Sequence, residues 1–212
     1  MTDKYQNKYR IPTNRLQGYD YGANGCYFVT ICTKNREHYF GDVVNGEMQL
    51  SEIGKIAELE WLKTVELRPD MNLLLDEFVI MPNHVHCIVF IGNNEYNSHD
   101  AHDCRDAICR DAMQCRDAMH CVSTTTTMPT IPTMPLQPYK NKFGVQSKNL
   151  ASIIRGFKIA VTTYARKHNI DFAWQDRFYD RIIHNQKGLD NVREYILNNH
   201  ANWENDEYNN TE

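Results

Sequence analysis

The sequence is short of the features that mark several protein classes. No apolar run approaches the roughly 20 residues that a membrane-spanning helix needs, and Met1 to Arg10 is polar, without the apolar core of a signal peptide. The expectation is a cytoplasmic chain with no membrane partner. No glycine-rich phosphate loop occurs, which argues against nucleotide-triphosphate chemistry. The seven cysteines are odd in number and follow no secretory signal, so they do not read as a disulfide framework. What is present, 42% apolar and 24% charged residues over 212 positions, is the make-up of one folded domain with embellishments, long enough to bury a core without staples. The formal charge of −4, taken whole, argues against a nucleic-acid partner.

Along the chain, Gly25 to Thr33 is rich in aromatic and β-branched residues and predicts a strand. Asn45-Gly46 is a strong hairpin signal. Ser51 ahead of Ile53, Ile56, Leu59 and Leu62 predicts a capped amphipathic helix ending near Arg68-Pro69. Leu73 to Ile80 and Val85 to Ile91 predict two strands around the turn Met81 to His84. Leu150, Ile153, Ile154, Phe157, Val161 and Tyr164 fall at helical spacing. A short strand is expected from Phe172 to Ile183, and a last helix from about Gly188 to Asn199.

Between the halves, Cys104-Arg105-Asp106-Ala107 recurs as Cys109-Arg110-Asp111-Ala112 and Cys115-Arg116-Asp117-Ala118, followed by a Thr/Pro/Met stretch. Cys104, Cys109, Cys115 and Cys121 are separated by four, five and five residues, which is not the pairing of a zinc knuckle. The expected organisation is one domain from residues 1–92 and 148–203, an inserted flexible loop over 93–147, and an acidic tail over 204–212. The element order suits an α+β fold, a ferredoxin-like antiparallel sheet with helices packed on it, interrupted by that low-complexity insertion.

His84-Val85-His86 is the sharpest local signal. Alternation in a strand sends both imidazoles to one face and Val85 to the other. Two imidazoles so presented make half of a divalent metal site, or two buried histidines satisfied by backbone or water. On the last helix Val192, Tyr195, Ile196 and Asn199 share a face. There Asn199 offers an amide oxygen to a hard metal with Tyr195 one turn earlier, or the two are a packing aromatic and a helix-ending Asn.

Met81-Pro82-Asn83-His84-Val85-His86 resembles the HUH motif (histidine, hydrophobic, histidine) of single-tyrosine transposases. The likeness extends to Arg15-Leu16-Gln17-Gly18-Tyr19-Asp20-Tyr21, Tyr27 to Thr33, Trp174-Gln175-Asp176-Arg177-Phe178-Tyr179-Asp180 and Arg193-Glu194-Tyr195-Ile196-Leu197-Asn198-Asn199. Together these resemble the REP-associated tyrosine transposases over about residues 15–92 and 146–203. The resemblance implies the HUH endonuclease fold and a metal-dependent single-strand DNA endonuclease and strand transferase, acting at hairpins of repetitive extragenic palindromes. It implies Tyr195 as nucleophile, and His84, His86 and Asn199 as ligands of Mg²⁺ or Mn²⁺. The family often has proline after the asparagine; here it is His200, a rival ligand. Tyr179 is a rival nucleophile.

Such chemistry is physically coherent. A phenol with a pKa of about 10 is roughly 0.1% ionised at neutral pH, so attack on an anionic phosphodiester needs a cation that neutralises and orients the phosphate. The covalent 5′-phosphotyrosine then conserves the bond for rejoining. For DNA contact the candidates are Arg155 and Lys158 on the helix after the loop, Gln175 and Arg177 on one face of the strand that follows, and Arg15 in an N-terminal arm with Lys4, Lys8 and Arg10. Split by segment, the charge is +3 over residues 1–18 and +6 over 136–202, against −6 over 42–80 and −4 over 203–212. This predicts salt-dependent binding of single-stranded or hairpin DNA after all, in the nucleoid. A homodimer is compatible with the resemblance. The alternatives are a catalytically inactive DNA-hairpin-binding protein and a zinc-binding regulator built on the cysteine repeat.

Overall fold

A computed structural model describes residues 4–5, 8–9, 15–16, 19–97 and 147–209. The cysteine repeat and the Thr/Pro/Met stretch lie outside the described residues, as does Arg10. Lys4–Tyr5 pairs antiparallel with Lys8–Tyr9.

The core is an antiparallel sheet of β1 (Gly25–Cys32), β4 (Leu73–Met81), β5 (His84–Ile91) and β6 (Tyr179–Ile183), in the order β4-β5-β1-β6. A separate hairpin, β2 (Gly41–Val44) and β3 (Glu47–Leu50), turns at Asn45-Gly46. Both turn residues adopt positive φ, 55° and 78°, the pattern that makes Asn-Gly a hairpin signal. Three helices cover the sheet: α1 (Glu52–Leu62), α2 (Leu150–Lys167) and α3 (Gln186–Leu197). This is the expected α+β architecture.

Alternation along the strands separates two cores. Tyr27, Val29 and Ile31 of β1, with Val85, Cys87, Val89 and Ile91 of β5, pack on α1 and α2 around the buried Trp61 and Phe157. Cys26, Ile88, Phe90 and Ile183 face the other way, against Leu189, Val192 and Ile196 of α3. With both faces covered, all eight residues of β5 are buried, so the histidines are placed under a helix.

Side-chain caps start the helices. The Ser51 hydroxyl accepts from Gly54 N at 3.1 Å, the Asn149 carboxamide from Ser152 N at 3.0 Å and the Asn185 carboxamide from Gly188 N at 2.8 Å. Helix α1 stops at Leu62 rather than near Arg68: Thr64 Oγ1 donates to Glu60 O at 3.1 Å, and turns carry the chain on.

The strand expected from Phe172 to Ile183 is regular only from Tyr179; upstream, Trp174 makes a single bridge to Thr33. The physical reason is Lys158. Its ammonium takes the carbonyls of Gln175 and Arg177, at 2.6 and 3.0 Å, and lies 5.6 Å from the Trp174 ring centroid. At the insertion, packing continues past residue 92. Asn24 Nδ2 donates to Asn93 Oδ1 at 2.7 Å, and the Tyr96 hydroxyl to Asp70 at 2.9 Å. Residues 204–209 also pack on the fold, through the carbonyls of Glu207 and Tyr208. Among the described residues no helix is long and apolar enough to cross a membrane.

Candidate active site

His84 and His86 project together from β5 beneath α3, with ring centroids 4.4 Å apart and exposures of 0% and 1%. Tyr195 reaches them from α3: its hydroxyl lies 3.1 Å from His86 Nε2, and its ring packs at 5.1 Å from that of His86 and 6.2 Å from that of Phe28. Asn199 follows one turn later. It lies just beyond the helix, where a tightened turn, Asn199 N to Ile196 O at 3.2 Å, leaves the residue 2% exposed.

Two neighbours orient the rings. Asn83 Nδ2 donates to the carbonyls of Arg36 and Tyr208, at 3.1 and 2.7 Å, so its Oδ1 must be the atom 2.8 Å from His84 Nδ1. An amide oxygen only accepts; His84 therefore carries its proton on Nδ1, and Nε2 holds a bare lone pair. At His86 the same polarity, Nδ1 donating to Thr30 Oγ1 at 2.8 Å, lets Nε2 accept from the Tyr195 hydroxyl. His84 Nε2 and Asn199 Oδ1 are both buried and have no hydrogen-bond partner, a costly state for polar atoms. His200 Nε2 is also unpartnered, yet His200 lines neither cavity beside Tyr195 whereas Asn199 lines one.

Burial keeps the imidazoles neutral. His86 is pulled down to about 3, and His84 falls well below the usual range through burial and the nearby charge of His86 and Arg36. In the unfolded chain each titrates near 6.5. As pH falls below that value the unfolded state binds protons that the folded state refuses. Stability is therefore complete above 6.5 and declines on acidification. Between pH 7 and pH 5 the loss from His86 alone is about 2 kcal/mol, with His84 acting in the same direction. Urea unfolding at the two pH values, compared with a His86→Gln variant, checks this. The pH-dependent loss should shrink by about 2 kcal/mol in the variant, and an unchanged loss would refute the assignment.

Burial also raises the Tyr195 phenol above its ordinary value, helped by Asp206 and Glu207 and opposed by a hydrogen bond from Asn199. Asp206 and Glu207 belong to the acidic tail expected over residues 204–212. Tyr208 packs on His84 with ring centroids 4.5 Å apart and the planes tilted by 39°, and Arg36 donates to the Glu207 carbonyl at 2.6 Å and lies 5.1 Å from the Tyr208 ring centroid. Trp203 is buried against α3. Thr30 and Asn83 lie within the matched motifs but gain their roles only from these contacts, and Tyr208 lies outside every motif. Only register could have found Thr30, which pairs with His86 across β1 and β5.

The expected DNA-contacting residues are scattered. Arg155 is exposed on α2 beside Arg166. Lys158 is engaged inside the fold as described, and burial lowers its pKa to about 8. Gln175 and Arg177 are not on a strand face, since both precede β6. Arg15 turns to the opposite sheet face, 3.9 Å from Asp180 and over the Phe178 ring.

A protein of Haemophilus influenzae, itself described only as uncharacterized, is 34% identical over 209 residues, covering 98% of each chain. The chain belongs to the same family as that protein. No family model matches the sequence. Among solved structures, a REP-associated tyrosine transposase bound to a REP hairpin is similar across 91% of this family member and 74% of the transposase chain. The TM-score is 0.51 and the identity 15%. That likeness establishes a shared fold.

Among the described residues no three or more His, Cys, Asp or Glu side chains gather as a metal site. The set at issue here is two histidines and an amide. Its chemistry fits a divalent cation: the bare Nε2 of His84, the Nε2 of His86 once the Tyr195 hydroxyl releases it, and the orphaned amide oxygen of Asn199.

Proposed function

We infer that this chain is a single-tyrosine DNA strand transferase that cleaves and rejoins single-stranded DNA near hairpins. The observation that carries the reading is the meeting of Tyr195 with His86 at 3.1 Å, beside the unpartnered Nε2 of His84 and Oδ1 of Asn199. The solved transposase that shares the fold is bound to a REP hairpin, which makes folded palindromic DNA the substrate class of choice.

In the cleavage step the Tyr195 oxygen loses its proton to water and attacks the phosphorus. The bond from phosphorus to the 3′ oxygen breaks, and that oxygen takes a proton to become a free 3′-hydroxyl. The 5′ phosphate remains on Tyr195 until another 3′-hydroxyl reverses the step, without ATP. When bound by His84, His86 and Asn199, Mg²⁺ or Mn²⁺ would supply the positive charge that offsets the phosphate's and orients it for in-line attack. Asn83 fixes the His84 tautomer that leaves its Nε2 lone pair available, and Thr30 Oγ1 offers His86 Nδ1 an acceptor that permits the same tautomer there. The Phe28 ring, stacked on His86 at 5.3 Å, walls the site from one side.

The test is incubation of the purified protein with a labelled hairpin oligonucleotide and Mn²⁺ or Mg²⁺, scored on a denaturing gel. A protein-linked 5′ fragment that EDTA prevents is expected; cleavage with no linked fragment would refute the reading. Asn83→Ala frees the His84 ring to change tautomer. Mn²⁺ affinity by calorimetry should drop about 10- to 100-fold, the usual scale for losing an orienting partner. Unchanged affinity would remove Asn83 from the site.

A further inference from the structure

Strand β6 is an edge of the sheet, and it carries two side chains that the chemistry above leaves unused. Thr30 pairs with His86 on one side and Tyr179 on the other, and Phe28 pairs with Arg181. Directly opposed residues point to one face, so Tyr179 and Arg181 share the face of the histidines. Tyr179 is 44% exposed and Arg181 is exposed. Among the described residues no carboxylate forms an ion pair with Arg181; its neighbour Asp180 points to the other face, toward Arg15.

Arg181 also stands where two cavities meet. One, of 370 Å³, is lined by His86, Tyr195 and Glu207, and the other, of 720 Å³, by Arg15, Asp180 and His184. Arg181 and Gly188 line both. A path therefore leads from the Tyr195 hydroxyl over Gly188, which has no side chain to block it, and along the β6 edge. Its fixed cation is a guanidinium, whose planar fork suits a phosphate. Two residues away along the same face of β6 stands the exposed Tyr179, whose ring suits an unpaired base. A chain that alternates phosphates with flat bases matches both features.

We propose that the β6 edge is the binding track for the single-stranded segment flanking the attacked phosphate, with Arg181 holding a neighbouring phosphate and Tyr179 stacking a base. This rests on the strand-transfer reading and assigns its flanking subsite. The test uses the full chain carrying Tyr195→Phe, so that no cleavage occurs, and hairpin oligonucleotides with a 5′ flank, a 3′ flank, both or neither, followed by fluorescence anisotropy. Arg181→Ala should weaken binding about tenfold for probes carrying one of the two flanks. It should lower the slope of log affinity against log salt by about 0.7, the contribution of one single-strand phosphate. The flankless hairpin should bind unchanged. Arg181→Lys should recover most of the loss, and Tyr179→Ala should show the same flank dependence, at roughly fivefold or more. Equal affinity of the Arg181→Ala and parent proteins for every probe, or an equal loss on the flankless hairpin, overturns the track while leaving strand transfer standing. If the parent protein binds none of the probes, the strand-transfer reading falls and the track with it.

Discussion

Tyr195→Phe is expected to abolish the protein–DNA linkage and to reduce strand cleavage by roughly 10⁴- to 10⁶-fold, the scale seen when a covalent nucleophile is removed. The substitution is close to a pure deletion of function. The ring remains to pack edge-on against Phe28 and beside His86. What disappears is one hydroxyl on a residue 43% exposed, with its hydrogen bonds to His86 and Asn199. A net hydrogen bond contributes about 1 kcal/mol, so the melting temperature should move by only a few degrees. Tyr179→Phe is the control. Tyr179 shares the sheet face and is equally exposed, but it stands in line with Thr30 on β6, not over the histidines. It should retain the adduct. If Tyr195→Phe still forms a linkage and Tyr179→Phe does not, the roles are exchanged.

Those parts of the fold governed by neighbours in sequence were legible before any coordinates. Asn45-Gly46 needed only its own backbone preference to announce a hairpin, Ser51 and Asn149 only their side chains to start helices. His84 and His86 needed only the two-residue period of a strand to face the same way. The pairing of Tyr195 with Asn199 followed from the helical period. What stayed hidden depends on contacts between distant segments. Lys158 looks like a solvent-facing cation on a helical wheel, but it meets the carbonyls of Gln175 and Arg177, and by taking them it interrupts the strand expected there. The tail is polar and acidic, which reads as solvated chain, yet Tyr208 finds the ring of His84 and the amide of Asn83 more than a hundred residues away. Arg181 stands in no motif that sets it apart from other surface cations. Its importance comes from register across β1, which no local pattern encodes.

Asp76→Ala should slow formation of the linkage about 100-fold while costing about 2 kcal/mol of stability, although Asp76 touches neither DNA nor a histidine. The register of β4 slips between Leu75 and Phe78, and within that bulge the Asp76 carboxylate also accepts from Glu77 N at 2.7 Å. So placed, it takes two parallel hydrogen bonds from Arg193, Nε at 3.0 Å and Nη2 at 2.5 Å. Arg193 is two residues before Tyr195, so this fork ties the nucleophile's helix to the strand adjoining the histidine strand. The side chains are 10% and 33% exposed, which places the pair between surface bridges of less than about 1 kcal/mol and buried ones costing 3–5 kcal/mol when broken. After the substitution the guanidinium keeps only Asp190, at 3.7 Å on its own helix, which cannot hold that helix to the sheet. A displacement of about 1 Å at a reacting atom is enough to cost about 100-fold. Asp76→Asn keeps an acceptor without the charge and should fall between. The double variant Asp76→Ala/Arg193→Ala should be no slower than Asp76→Ala alone, since the two residues act as one unit. Linkage rates and thermal melts on the same proteins decide the matter: stability lost with the rate unchanged would make the pair a brace of the fold and nothing more, whereas a rate loss that persists well below the melting temperature makes it the device that aims Tyr195.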